Sequence, residues 1–151
     1  MNIKSIISTV CAALSEPHTF HFADLAEENL NLTAEHITKP VCLLLPFEAK
    51  GNVLQQFGDG MQYDKTYSVS VFLMRKSGLD DTWNQRHDDS ISPTTSIIPE
   101  FITRINLALP SSAQQIESWN ETTDRINMFD ANLDGVLATF SIPDIGTYCI
   151  S

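Results

Sequence analysis

Hydrophobic residues recur at helical spacing in two parts of the chain and alternate with polar ones in several others. Near the start, Ile3, Ile6, Ile7, Val10 and Leu14 fall at i, i+3, i+4, i+7 and i+11, with Asn2, Ser5, Ser8 and Thr9 between them. That period predicts an amphipathic helix packed on the domain rather than a leader to be removed. Ile98, Phe101, Ile102, Ile105 and Leu109 repeat the pattern and predict a second helix over about 98–109. Pro99 and Glu100 suit its first turn, where a missing N–H costs nothing and a carboxylate meets the positive end of the dipole. Pro110 stops it.

Strands are predicted where the period shortens. "HTFHF" (18–22) places Phe20 and Phe22 on one face, and the polar stretch "ADLAEENLNLTAEHITK" (23–39) reads as a connection. "VCLLLPF" (41–47) is a continuous apolar run, the pattern of a strand buried on both faces, with Pro46 at its end. "TYSVSVFLM" (66–74) alternates cleanly before its second face also turns apolar. "VLATFSI" (136–142) alternates as well, and Tyr148 and Ile150 suggest a final strand. Strands in runs with helices at their ends give an α+β class: a mostly antiparallel sheet packed by two helices in one domain over 1–151. Two segments stand outside this frame, a glycine-bearing arm at about 48–65 and a polar loop at about 76–97. Val53, Leu54, Phe57, Met61 and Tyr63 on the arm, with Trp83 in the loop, are the candidate contact residues with other protein.

Composition narrows the function. Hydrophobic residues make up 42% of 151, so a packed core is expected, whereas charged residues reach only 19%. The 19 acidic and 9 basic residues give a net charge of −10, which excludes an ordinary basic nucleic-acid-binding face. Arg75-Lys76 is the densest basic pair. No apolar run is long enough for a membrane-spanning helix. Cys11, Cys42 and Cys149 form no C-x-x-C pair and read as free thiols.

The motifs that carry chemistry are incomplete. Asp130, Asn132, Asp134 and Gly135 match the first half of a calcium loop, but the position of the bidentate carboxylate is Ser141. Asp134-Gly135 reads better as the turn of a β-hairpin. His18 and His21 project to opposite faces of a strand, and His36 is isolated. "RHDDS" (86–90) has the letters of a hydrolytic site, yet adjacent residues rarely converge on one atom, and it reads as a solvated acidic loop. "GNVLQQFGDG" lacks the lysine of a P-loop, Lys50 lying on the wrong side. Asn31 and Asn120 fit glycosylation sequons. Nothing here predicts a cofactor, a bound metal or catalysis.

The N-terminal helix, the run "KPVCLLLPF", the segment "YSVSVFLMRKSGLDDTW" leading into "PEFITRINLAL", and the closing "FDANLDGVLATFSI" follow one another along nearly the whole chain. In this order the sequence resembles the tail terminator and head–tail connector (neck) proteins of tailed bacteriophages. It differs from them at "SISPTTSIIP", where a longer uninterrupted helix would be expected. The resemblance implies a non-enzymatic virion component, assembled in the host cytoplasm as a six- or twelve-fold ring. It implies contacts with neighbouring neck, portal or tail-tube proteins, and a lumen that passes DNA without sequence-specific binding. The acidic balance suits such a lumen, because phosphate would be repelled. The alternative is a monomeric acidic module that binds a small ligand or cation.

Overall fold

The computed structural model describes residues 1–22, 39–78, 81–128 and 133–150. The elements are α1 (Ile3–Ala13), β1 (Thr19–Phe22), β2 (Val41–Leu44), β3 (Glu48–Phe57) and β4 (Gly60–Lys76). After these come α2 (Trp83–Arg86), a π-helical turn (His87–Ile91), α3 (Ser92–Ala108), β5 (Trp119–Met128) and β6 (Leu133–Cys149). The fold is α+β: one mixed six-stranded sheet, in the order β1-β2-β4-β6-β5, with β3 also paired to β4. Only the β1–β2 pair is parallel among the described strands.

Two long strands form its spine. β4 and β6, 17 residues each, pair antiparallel without a break from Gly60↔Cys149 to Lys76↔Leu133. Alternation decides what each face buries. Val69, Val71 and Leu73 of β4, with Val136, Ala138, Phe140 and Ile142 of β6, face α1 and α3. Phe72, Met74 and Leu133 join Val41 and Leu43 in a second cluster on the reverse face. This explains why "VCLLLPF" has no polar side: β2 is buried on both faces along its whole length.

The helices lie on one face for the reasons their periodicity gave. Asn2 caps α1, its Oδ1 accepting from the backbone N–H of Ser5 at 3.0 Å. Ile3, Ile7, Val10 and Cys11 point inward, against Ile98, Phe101, Ile102 and Ile105 of α3 and the sheet. Phe101 meets Phe140 edge-on, with centroids 6.3 Å apart.

Several sequence expectations change here. The polar segment at 76–97 is not a loop: α2, the π-turn and α3 follow without a gap from Trp83 to Ala108. The π-turn stands directly before Pro93, with Ser92 N–H donating back five residues to the carbonyl of His87. Widening the helix there lets proline's ring enter without the usual clash. Thr94 and Thr103 then donate their hydroxyls to the carbonyls of Ser90 and Pro99, each at 2.7 Å. Pro99 is therefore an interior residue of α3 rather than its start.

The two final strands expected from "VLATFSI" and "PDIGTYCIS" are a single strand. Pro143 is tolerated because its carbonyl accepts from Gln114 N–H, so the nitrogen of the same residue faces that outer edge and not β4. Asp134 and Gly135 do not form the turn of the β5–β6 hairpin. They are strand residues of β6, Gly135 pairing with Arg125 of β5. Gly135 is needed for close approach: a Cβ there would stand 2.2 Å from the carbonyl oxygen of Leu73.

Two of the three cysteines are not free. α1 crosses β2 so that Cys11 and Cys42, 31 residues apart, meet in a disulfide; Cys149 is exposed. Sequence spacing could not disclose this, because it carries no record of which faces meet. Neither bridged cysteine has any exposed surface, which keeps reductants out once the fold closes. Alkylation followed by intact-mass measurement should give one adduct on the unfolded, unreduced chain and three after reduction. Three adducts without reduction would show the bridge to be absent.

"RHDDS" is helical rather than a loop, and while His87, Asp88 and Asp89 are exposed as expected, Arg86 is buried. Arg86 is 4% exposed and Asp134 fully buried, with Nη1 2.9 Å from Oδ1 and 3.2 Å from Oδ2. The same guanidinium donates to Ser77 Oγ and to the carbonyls of Gly78 and Asp81. One side chain thus ties the end of β4, the start of the helical segment and the start of β6. Removing one partner of a buried pair leaves an uncompensated charge, a loss of about 3–5 kcal/mol. Arg86→Met should lower unfolding free energy by about that amount in denaturant titration, and Asp134→Leu in the same chain should recover most of it.

Candidate functional site

The glycine-bearing segment at 48–65 is a rigid ribbon, formed by three strands that leave the helix-covered part of the sheet. β3 runs antiparallel to the first half of β4, from Glu48↔Ser68 to Phe57↔Gly60. The other edge of this half of β4 is held by the C-terminal half of β6. The paired stretch of nine β4 residues is roughly 30 Å long at the usual rise of a strand. Gly58, at φ 55°, makes the reversal at its tip. Asn52 donates to Asp64 across the strands at 3.0 Å, and Ile150 N–H closes the tip on the Asp59 carbonyl at 2.9 Å.

All ten residues of β3 are exposed. Five of the six candidate contact residues lie on this ribbon, and the register sorts them. Val53 pairs with Tyr63, and Met61 with Tyr148, on the face that continues the helix side of the sheet. A shallow concavity of about 300 Å³ opens between Gly51, Val53, Met61, Tyr63 and Lys65. Tyr63 lies flat over Gly146, where a Cβ would come within 2.4 Å of its ring. The Lys65 ammonium stands 5.9 Å from the Tyr63 centroid and 5.8 Å from that of Tyr67. Leu54 sits at a register shift between Val53 and Gln55, and Phe57 covers Gly60 on the reverse face. Val53, Leu54 and Phe57 are 61%, 51% and 42% exposed, whereas Met61 and Tyr63 are half-buried.

Trp83 does not join them. It opens α2, beyond the far end of β4, and is exposed there. Sequence reasoning missed Tyr148, 58% exposed on the ribbon's third strand, and Ile150, 66% exposed just beyond its end. Their alternation was visible, but only the β4–β6 register shows that Tyr148 pairs with Met61.

The other chemical candidates disperse. Asp134 is engaged by Arg86, and Asp130 and Asn132 lie outside the described residues, as do Asn31 and His36. His87 and Asp88 are exposed neighbours 3.4 Å apart. Among the described residues no three His, Cys, Asp or Glu side chains converge on a point a metal could occupy. A cleft of about 380 Å³ on the reverse face is lined by Ser68, Ser70, Thr139, Ser141 and Asn120, with Glu117 as its one carboxylate. Such a lining is mostly uncharged hydroxyl and amide groups. Among the described residues no helix is long and apolar enough to cross a membrane. No known family matches the chain, and neither does any curated protein.

In the helix layer, polar contacts lock the end of α1 to α3. Glu100 accepts from Ser15 N–H at 2.8 Å, Ser15 Oγ at 2.6 Å and Arg104 at 2.9 Å. The Ser15 hydroxyl above all, then Arg104, holds its carboxyl below the usual range. Glu16 pairs with Arg75 at 3.1 Å. His18, 5% exposed, donates Nδ1–H to the Glu16 carbonyl at 2.7 Å, and its Nε2 has no partner. Burial pushes its pKa below 6.5, reinforced by Arg75 and opposed by Glu16 and Glu100. The unfolded chain therefore takes up a proton near pH 6.5 that the folded chain refuses. Stability is full above that value and declines as pH falls towards the folded pKa. The denaturation midpoint should drop between about pH 7 and pH 5. His18→Asn, which keeps a donor for Glu16, should flatten that decline, and an unchanged profile would assign it elsewhere.

Proposed function

We propose that the chain is a non-enzymatic building block of a closed protein ring in the neck or tail of a tailed bacteriophage, around the DNA channel. The observation that carries this reading is the ribbon. A monomer gains nothing from a strand exposed along its whole length with Val53, Leu54 and Phe57 facing water, whereas an assembling subunit does. The likeness in element order to terminator and connector proteins points the same way. So does the helical run from Trp83 to Ala108, the kind of long helix that those proteins lead one to expect at this place.

A contact between the ribbon of one subunit and a different surface of the next would be heterologous. A head-to-tail contact that closes by rotation gives a ring. The low content of charged residues suits broad contact surfaces, and the net charge of −10 suits a lumen along which DNA slides. Neck, portal or tail-tube proteins would stack above and below.

Sedimentation velocity and electron microscopy of the purified protein at micromolar concentration should show a discrete closed species of six or twelve copies. A chain that stays monomeric over the accessible concentration range would overturn the reading.

A further inference from the structure

The ribbon needs a receiving surface, and a second apolar feature lies on the outside of the helix layer. Leu107, near the end of α3, is 80% exposed, more than any other large hydrophobic residue described. Shallow hollows of about 210 and 440 Å³ lie on either side of it. The first is floored by Val10 and Ala13 of α1 with Ala108, the second lies on α3 alone, between Pro99, Glu100 and Thr103, and Arg104 borders both. This groove is open on the side of α1 and α3 that faces away from the sheet. A subunit's own ribbon continues the sheet and cannot fold back over the helices to fill it.

We propose that the groove between α1 and α3 receives the ribbon tip of the next copy of the same chain. The inference rests on the ring reading and specifies its contact. Between Gly51 and Tyr63 the ribbon holds one charged residue, Asp59, beside Gly58 at the turn. Leu54 and Phe57 stand exposed next to it. The groove offers apolar hollows for the two side chains and, at their rim, the Arg104 guanidinium beside the Glu100 carboxylate. Arg104 now pairs with Glu100 at 2.9 Å, but its side chain is 41% exposed. A pair that open to water holds little energy, so the guanidinium can turn to a second carboxylate at small cost. Ribbon and groove occupy different parts of the subunit, which gives the head-to-tail geometry a ring requires.

The test uses the full chain with Leu54→Asp on the ribbon and Leu107→Asp in the groove. Both positions are exposed, so circular dichroism should match wild type. Each variant alone should lose the ring species and sediment as a monomer. An equimolar mixture retains one intact ribbon and one intact groove per pair. It should give a heterodimer and nothing larger. Arg104→Asp should weaken the ring, and Asp59→Arg in the same chain should restore it. Rings from Leu107→Asp like those of wild type, or no heterodimer in the mixture, would overturn the groove assignment while leaving the ring reading in place. A monomeric wild type would instead remove the ring reading itself, and this inference with it.

Discussion

The unbroken pairing of β4 with β6 is the constraint on which the rest of this structure hangs, because two strands of 17 residues outlast the core that needs them. Roughly half the ladder lies under α1 and α3, where Val69, Val71, Leu73, Val136 and Ala138 are buried. The other half runs on without helices above it. Backbone hydrogen bonds keep the second half as regular as the first, so the ribbon is an extension of the sheet, stiff by inheritance. Slipping the register by one residue would turn the core side chains to the wrong face, so the core fixes the ribbon's pairing as well.

Two devices hold the buried half in place. At one end Arg86 joins the last turn of β4, the helical segment and the first residues of β6 through Asp134. A fully buried pair is no great source of stability in itself, since desolvation offsets most of the attraction, but it penalises every arrangement that separates the partners. On the helix side, the Cys11–Cys42 bridge and the Ser15–Glu100 contacts fix α1 against β2 and α3. Function, on the reading advanced here, lies on the ribbon and on the outer side of the helices, where Glu100 and Arg104 border the groove.

Much of this was written in the order of the residues. The period of Ile3 to Leu14 gave α1 with its buried face, and the two-faced apolar run gave β2 as a strand covered on both sides. Val53, Leu54 and Phe57 were readable as contact candidates because they sit on a glycine-bearing arm outside the core frame. Other features were misread for specific reasons. Pro93 reads as part of a loop and Pro99 as the first turn of its helix, yet a π-turn stands before the first and the second is carried within α3. Asp134-Gly135 spells a hairpin turn, yet the pairing of Gly135 against Leu73 and Met74 makes it a strand position where only hydrogen fits.

The sequence by itself determined the α+β class, the two helical faces and the presence of an arm that the core could not use. These are local matters, set by period and by residue chemistry within a few turns of chain. Tertiary structure alone decided that Arg86 meets Asp134, that Cys11 meets Cys42, and that Tyr148 stands beside Met61 on one ribbon face. Each of those pairs joins distant segments, and only the long register of β4 on β6 and the crossing of α1 over β2 bring them within reach.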